Sequence, residues 1–380
     1  MSADTGRLIK QLRAAKGWSQ GRLAGELSRS SGCNMTREYI SRHWESGKTE
    51  PSNFWLRHLA AVLDCPLELL ETDVNRREFL SHLAATSVAP VVASDLLSRG
   101  FSARLHASGP TVDEWEATLA RYGSDYMSQG AAQIQQRLAA DLVVLQQQLD
   151  SPRMWAVAAR LMTLFAKTYP GSDGRKAISW YRMAAEAADR SDDFGIRIWV
   201  RGRAAIALGY EGALLPTAHD FADQALAISG QHSLGRLNAI WGKAHAAAIS
   251  GDRATAYELI HIGRREFDVS YSEEQTSDYA VPWWRMNVFL SLLAARLGDE
   301  KLAIEAQENA RADLPPELPR FATHLEMHRG LMLVRAGDRS EGIRHARAAL
   351  EALPPEKHSL TLRMLMGEIS GVESAGAESH

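Results

Sequence analysis

The spacing of apolar residues predicts helices along the chain, and no segment alternates apolar and polar residues convincingly as a half-buried strand does. Five of the predicted helices are short and fall within the first 70 residues. They begin near residue 7, after Ser19, near residue 37, at Pro51 and at Pro66. Gly17 and Gly47 are expected to end the first and third, because glycine readily adopts the conformation that closes a helix. These helices offer enough apolar faces for one independent core.

The third predicted helix has one apolar face and one polar face. Ile40 and Trp44 face inward, whereas Arg37, Glu38 and Arg42 face outward. Side chains of these polar types can hydrogen-bond base edges from a helix in the major groove of DNA. An arginine there either reads a guanine or neutralises a phosphate, and the pattern leaves both roles open. The helix therefore predicts duplex DNA as a partner.

The charge distribution agrees with a nucleic-acid partner at one end of the chain only. The net charge of the 380 residues is −3, but residues 1–60 alone carry ten Lys or Arg and five Asp or Glu. That segment is therefore +5 and the remainder is −8. A basic segment joined to an acidic body is suited to a polyanion at the basic end. A merely solvated helical face is the alternative interpretation of these charges.

The region beyond about residue 112 contains longer amphipathic helices and repeats itself. Gly298-Asp299 and the LPPE segment 314–317 both recur 39 residues later. Gly251-Asp252 and Leu208-Gly209 are predicted to mark two earlier copies. In each copy the glycine would close one helix and the following residue would begin the next, so the unit is a helical hairpin. A single hairpin cannot bury its apolar stripe, so stacking into a solenoid is predicted.

Polar residues recur thirteen positions before three of the marker glycines. Asn238, Arg285 and His324 occupy these equivalent positions. They are predicted to line one groove and to bond an effector there, or alternatively to lie exposed on an outer face. Trp241 and Trp284 could add apolar pockets, although aromatic residues at helical spacing also commonly belong to a core.

Other features of the sequence narrow the range of possible functions. His324 and His328 are one helical turn apart without an evident third ligand, so no metal or cofactor is predicted. No catalytic arrangement stands out, and an enzyme is not expected. No apolar run approaches the ~20 residues of a membrane span. Cys33 and Cys65 are the only cysteines, which indicates a reducing compartment and leaves a redox role open. A cytoplasmic, nucleoid-associated protein is expected.

Residues 19–24 (SQGRLA), 39–41 (YIS) and 44–48 (WESGK) resemble the XRE/Cro-repressor helix-turn-helix family. The resemblance implies that the second helix lies across the DNA backbone and that the third enters the major groove. Carried over by position, it implies a phosphate contact from Gln20 and a backbone contact from Lys48. The implied reading helix supplies Thr36, Arg37, Glu38, Arg42 and His43.

Two departures from the family pattern bear on these assignments. The connection from Ala24 to Ile40 is longer than the family's usual short form, which implies an extended loop. His43 stands where family members usually have no residue, and one extra residue rotates a helix by ~100°. Either Ile40 or Trp44 is therefore expected to shift on the core face.

The region beyond residue 112 resembles degenerate tetratricopeptide repeats, on fragments such as Trp241-Gly242 and Leu208-Gly209. The combination resembles bacterial XRE regulators with tetratricopeptide-like sensor domains, some of which sense peptides. It implies an all-α chain, in which a five-helix helix-turn-helix bundle precedes a tetratricopeptide-like α-solenoid. The expected domains are the bundle over 1–70, a linker helix or connector over 71–112, repeats over 113–370 and a disordered tail over 371–380.

The implied function is a sequence-specific transcription regulator that acts as a homodimer. Its repeat domain would dimerise and sense a peptide or small-molecule effector. The rival hypothesis is an interaction scaffold whose repeats dock a protein partner while an accessory head binds DNA. The sign of regulation, activation or repression, stays open.

Overall fold

The structure is a computed structural model that describes residues 2–31, 33–63, 70, 109–129, 131–169, 174–212 and 214–371. The chain divides into two compact units, Met1–Asp95 and Leu96–His380, here called the head unit and the repeat unit. All regular secondary structure in the described ranges is helical, which confirms the predicted all-α class. The predicted helix at Pro66, Cys65, most of the connector and the tail from 372 lie outside these ranges. None of the described helices is long and apolar enough to cross a membrane.

The head unit contains four described helices. They are α1 (Ser2–Ala15), α2 (Gln20–Ser31), α3 (Arg37–Tyr39, continued by a π-helical turn over Ile40–Trp44) and α4 (Asn53–Leu63). Gly17 and Gly47 adopt φ of 65° and 72°, as expected for residues that end helices. The core of the unit is formed by residues such as Leu8, Leu23, Leu27, Ile40, Trp44 and Leu59. The predicted bundle therefore exists, although α1 begins about five residues earlier than expected. The extended loop expected after Ala24 is wrong in part, because α2 continues to Ser31.

The repeat unit is a succession of helical hairpins followed by one last helix. The hairpins are α5 (Val112–Ser128) with α6 (Ala131–Leu145), α7 (Pro152–Ala166) with α8 (Gly174–Asp189), α9 (Phe194–Glu211) with α10 (Leu215–Ile228), α11 (Leu234–Ile249) with α12 (Arg253–Ser270), α13 (Trp283–Leu297) with α14 (Glu300–Asp313), and α15 (Pro319–Arg335) with α16 (Arg339–Ala352). The last helix is α17 (Leu360–Gly371). The first helices of neighbouring hairpins pack on one another, which is the stacking expected of a tetratricopeptide-like array.

The turns within the last three hairpins have the predicted chemistry. Gly251, Gly298 and Gly337 have φ of 80°, 66° and 101°, a region that favours glycine. The aspartate after each of them accepts a hydrogen bond from a backbone N–H in the first turn of the next helix, at 3.1 or 3.2 Å. These aspartates cap α12, α14 and α16, and the hairpin prediction is confirmed for these three copies.

The prediction that Leu208-Gly209 marks the end of a helix is wrong. Both residues lie inside α9, and the left-handed residue that closes this helix is Gly212, with φ of 75°. Gly209 has a packing role instead. A Cβ placed on it would lie 2.5 Å from the carbonyl oxygen of Gly242 in α11. No side chain fits between these two helices at that point.

A second pair of glycines repeats this contact two helical turns earlier. A Cβ on Gly202 would lie 1.9 Å from the carbonyl oxygen of Gly235. Because a helix has 3.6 residues per turn, residues seven apart lie on nearly the same face. Gly202 and Gly209 therefore form one smooth stripe on α9, which faces the matching stripe on α11. The first helices of these two hairpins pack backbone against backbone.

Gly209→Ala is expected to destabilise the repeat unit by about 1–3 kcal/mol, because the added methyl group overlaps the backbone of α11. Gly367 offers a matched control within α17. It is exposed, and no atom lies within 4 Å of a Cβ built on it. Gly367→Ala should therefore be neutral or stabilising, by up to about 1 kcal/mol. Urea unfolding followed by circular dichroism measures both, and equal midpoints for the two variants would contradict the glycine contact.

Candidate nucleic-acid interface and buried polar cavity

The exposed face of α3 carries the polar residues predicted from the sequence. Thr36 precedes the helix and caps it, since its Oγ1 accepts the Tyr39 backbone N–H at 3.2 Å. Arg37, Glu38 and Arg42 are exposed. Within the described ranges, none of their three side chains has an ion-pair or hydrogen-bond partner. Their charges are therefore available to a ligand.

The π-helical turn accommodates the extra residue that His43 represents. The Glu45 backbone N–H donates to the carbonyl oxygen of Ile40, five residues back, at 2.8 Å. A π turn adds one residue to a helix locally. Ile40 and Trp44 are both buried, at 0% and 1% exposure, so the shift expected for one of them does not take it out of the core. The turn absorbs the extra residue while both apolar side chains stay in the core.

An aromatic pair lies on the same helix. The ring of His43 stacks on that of Tyr39, with centroids 4.5 Å apart and an interplanar angle of 27°. Tyr39 is 44% exposed and was not among the residues predicted from the sequence. The sequence indicated Tyr39 only through its position directly before the buried Ile40. It adds a π surface and a hydroxyl group to the face that carries Arg42.

The predicted phosphate contact Gln20 is held by a buried carboxylate. Its Nε2 donates to Glu45 Oε2 at 2.7 Å. Arg13 donates to both carboxylate oxygens of Glu45, at 2.6 and 3.0 Å, and this hydrogen bonding raises the pKa of Arg13. An amide nitrogen carries two hydrogens, so the second hydrogen of Gln20 can still meet a phosphate. Lys48 is exposed just beyond Gly47.

A small pocket of about 70 Å³, partly open to solvent, lies in the repeat unit and is here called the cavity. Its helical walls come from α5 and from the first helices of several hairpins, chiefly α9, α13 and α15. Two of the predicted effector residues, Arg285 and His324, line this cavity. Asn238 does not line it, and its buried Oδ1 has no hydrogen-bond partner among the described residues. All three residues are buried, so none lies exposed on an outer face.

The two tryptophans predicted to form pockets belong to the core. Trp241 and Trp284 are both 0% exposed, and neither lines the cavity. Trp284 Nε1 donates to the carbonyl oxygen of Gln275 at 3.2 Å, and its ring packs edge-on against Phe321. Trp241 packs against Gly263, where a Cβ would lie 3.1 Å from the indole ring. The structure thus places both rings where they stabilise packing between hairpins.

One end of the cavity is formed by three cationic side chains around one carboxylate. Asp278 Oδ1 accepts hydrogen bonds from Arg203 and Arg285 at 2.8 Å each, and from Lys167 at 2.5 Å. All four side chains are buried, and the three cationic ones line the cavity. Burial alone would raise the pKa of Asp278, but Arg203 and Lys167 hold it well below its usual range. The carboxylate is therefore charged.

Asp278 lies in the 271–282 loop that joins α12 to α13. This loop begins directly after the end of α12 and reaches into the unit. The backbone N–H of Asp278 donates to the carbonyl oxygen of Gly123 in α5 at 3.0 Å. This loop therefore connects hairpins that are far apart in the sequence.

Other charged groups complete the lining of the cavity. Glu211 accepts a hydrogen bond from Thr361 Oγ1 at 3.0 Å, and burial raises the pKa of Glu211 to about 7. Arg320 donates to the backbone carbonyl oxygen of Tyr126 at 3.0 Å. Lys167, Arg203, Glu211, Asp278 and Arg320 were not predicted as site residues. The sequence contained one indication of a role for Arg203, which is a charged residue within the largely apolar helix α9.

The imidazoles of His324 and His328 share one tyrosine. The Tyr210 hydroxyl lies 3.4 Å from His324 Nδ1 and 3.1 Å from His328 Nε2, while His328 Nδ1 lies 3.0 Å from Ser291 Oγ. Burial lowers the pKa of His324 to about 3 and that of His328 well below its ordinary value. Both rings are therefore neutral near pH 7. No group of three or more potential metal ligands occurs in the part of the chain that the structure describes.

A wider groove of about 460 Å³ lies between α14 and α15. Its charged residues lie at the surface, and Arg311 is paired there with Glu326 at 2.6 Å. Arg329 also lines this groove and is exposed. The groove thus lacks the buried charges of the smaller cavity.

Acidification is expected to destabilise the repeat unit. Burial lowers the pKa of His245, His324 and His328 below 6.5, so unfolding takes up protons as the pH falls below that value. Each ring contributes up to about 1.4 kcal/mol per pH unit. Glu211 acts in the opposite direction, because its raised pKa costs stability at neutral pH and this cost disappears as the pH falls from 7 to 4.5. We expect the urea midpoint of the repeat unit to fall between pH 7 and pH 5.

Glu211→Gln removes the opposing group and offers a matched comparison. Its urea midpoint should fall more steeply with acidification than that of the parent protein. A midpoint that stays constant or rises between pH 7 and pH 5 in both proteins would show that the three imidazoles are not buried in neutral form.

A family model described as Helix-turn-helix matches residues 9–70. Among solved structures, the chain is similar to PlcR of Bacillus thuringiensis in complex with the peptide PapR7 and DNA. The identity is 17%, the match covers 70% of this chain and 95% of that chain, and the TM-score is 0.35. No curated protein matches the chain. The family match, together with the geometry of α2 and α3, identifies residues 9–70 as a helix-turn-helix domain.

Proposed function

We propose that the protein is a sequence-specific DNA-binding transcription regulator. The observation that carries this proposal is the exposed face of α3, where Arg37, Glu38 and Arg42 have no partner within the described ranges. In helix-turn-helix domains the second helix of the motif lies in the major groove and contacts base edges. Here that helix is α3. A bidentate contact from an arginine to a guanine contributes ~1–3 kcal/mol of discrimination between base pairs.

The remaining predicted residues of the head unit support the orientation of this helix. Thr36 caps α3, and the Gln20–Glu45–Arg13 hydrogen bonds tie α1 and α2 to the end of the π turn. Lys48 supplies a further positive charge beyond the helix. Contacts of this kind position a protein on the phosphate backbone. Because they release counterions, DNA binding is expected to weaken steeply as the salt concentration rises.

The same proposal includes a homodimer and an effector. Two head units would contact half-sites separated by one helical turn of DNA or a multiple of it. The repeat unit would supply the dimer contacts and bind the effector in its cavity, which supports a sensing role because it is polar and lined by several hairpins. An effector that favours one conformation of the repeat unit would change the DNA affinity by population shift. A cytoplasmic location follows from such a role.

Selection from a random DNA library with the full-length protein, followed by gel-shift titration at moderate salt, tests this function. We expect enrichment of one motif with two related half-sites. Arg42→Ala should lower the affinity for that motif by about tenfold or more, since it removes a charged hydrogen bond at the groove. Arg329→Ala removes the same charge from an exposed site on α15 and should leave the affinity unchanged.

Two outcomes would contradict the proposal. The first is equal affinity for the selected motif and for scrambled competitor, even at low salt. The second is an Arg42→Ala variant that binds as tightly as the Arg329→Ala control. A protein that binds all DNA equally while its repeat unit captures a defined partner would favour the scaffold hypothesis.

A further inference from the structure

The cavity of the repeat unit holds more positive than negative charge. Four cationic side chains line it, Lys167, Arg203, Arg285 and Arg320. The carboxylates are Asp278, which Lys167, Arg203 and Arg285 share, and Glu211, whose pKa of about 7 makes its charge partial near neutral pH. Unbalanced charge is expensive on buried side chains, which water solvates poorly.

Two observations show that this positive charge is incompletely satisfied. The Nε atoms of Arg203 and Arg285 are buried and have no hydrogen-bond partner among the described residues. Buried polar atoms are nearly always paired in folded proteins, so such atoms call for an explanation. Burial and the neighbouring Arg203 also lower the pKa of Lys167 well below its ordinary value, although Asp278 opposes this shift. Burial likewise lowers the pKa of Arg285 to about 10, so an added anion would stabilise the charged forms of Lys167 and Arg285.

We infer that this cavity binds the carboxylate group of an organic ligand, held by Lys167, Arg203, Arg285 and Arg320. The inference rests on the proposed role of the repeat unit as the effector-binding part of a regulator. It names the chemical class of the effector and the residues that recognise it.

The dimensions and walls of the cavity favour a carboxylate with an apolar body. A guanidinium group presents parallel N–H donors that match the two oxygens of a carboxylate. The cavity volume of about 70 Å³ is small, so it fits such a group and a short attached chain. Ile206, Val288, Phe289 and Phe321 supply apolar wall beside the cations. The Ser359 and Thr361 side chains, which are half-buried, add hydroxyl groups to the lining.

Isothermal titration of the full-length protein with propionate and with propionamide tests this inference. The two probes have nearly the same shape, but only propionate carries a charge. We expect propionate to bind at least about tenfold more tightly, because charged hydrogen bonds are worth ~1.5–3 kcal/mol each. Equal binding of the two probes, or binding of neither, would overturn the inference. Chloride, sulfate and phosphate at equal ionic strength serve as competitors, and an affinity equal to that of propionate would also overturn it.

Charge-changing variants assign the binding to this cavity. Lys167→Met keeps the length of the side chain and leaves Asp278 with its two arginine partners, so the unit should still fold. It should weaken propionate binding by about tenfold, as expected for loss of one charged hydrogen bond. Glu211→Gln should strengthen propionate binding at pH 8, because it removes a carboxylate that faces Lys167 and Arg203. Arg329 lies in the groove outside the cavity, so Arg329→Ala should leave the propionate affinity unchanged. Unchanged affinity in both Lys167→Met and Glu211→Gln would overturn the assignment.

Short peptides with a free or an amidated carboxyl terminus separate two sources of the carboxylate. Tighter binding of the free form than of propionate indicates a peptide effector, whereas similar affinities indicate a small acid.

The DNA titration distinguishes a failure of this inference from a failure of the proposed regulator function. Propionate binding that is lost in Lys167→Met supports the site even if no DNA motif is selected. Selective DNA binding without any propionate binding overturns the site and leaves the DNA-binding role intact.

Discussion

The repeat unit depends on one buried carboxylate. Asp278 joins Lys167 at the end of α7, Arg203 in α9 and Arg285 in α13, while its backbone N–H bonds to Gly123 in α5. Stacked hairpins otherwise contact mainly their neighbours. This cluster links segments more than a hundred residues apart, so the positions of several hairpins are coupled at one point. The same cations line the cavity, which means that an anion bound there would act on the contacts that hold the hairpins together.

The close approach of α9 to α11 places these cations where they can meet. Glycines at four positions let the two helices pack backbone against backbone, as the overlap of a Cβ on Gly202 with the carbonyl oxygen of Gly235 shows. Arg203 follows directly in α9 and projects into the interior of the unit. Small residues in this stack therefore serve the site as well as the fold. A bulkier helix surface would move the guanidinium group of Arg203 away from Asp278.

The head unit keeps both apolar residues of α3 in its core although the helix contains a π turn. The π turn over Ile40–Trp44 accommodates His43 without removing either apolar anchor from the core. π turns often occur at functional positions. In this head unit the turn directs Arg42 to solvent and brings His43 onto the ring of Tyr39. The π turn thus affects the exposed face of the helix while the buried face is preserved.

The sequence by itself determined the helical class, the bundle of the head, the exposed arginines of α3 and the hairpin turns at Gly251, Gly298 and Gly337. These features follow from local rules, because apolar spacing, capping residues and glycine conformation act within a few residues. Only the tertiary structure decided that Gly209 packs against α11, that Trp241 and Trp284 lie in the core, and that Lys167, Arg203, Asp278 and Arg285 meet. Those outcomes depend on contacts between residues far apart in the chain, and neither spacing nor composition encodes such distances.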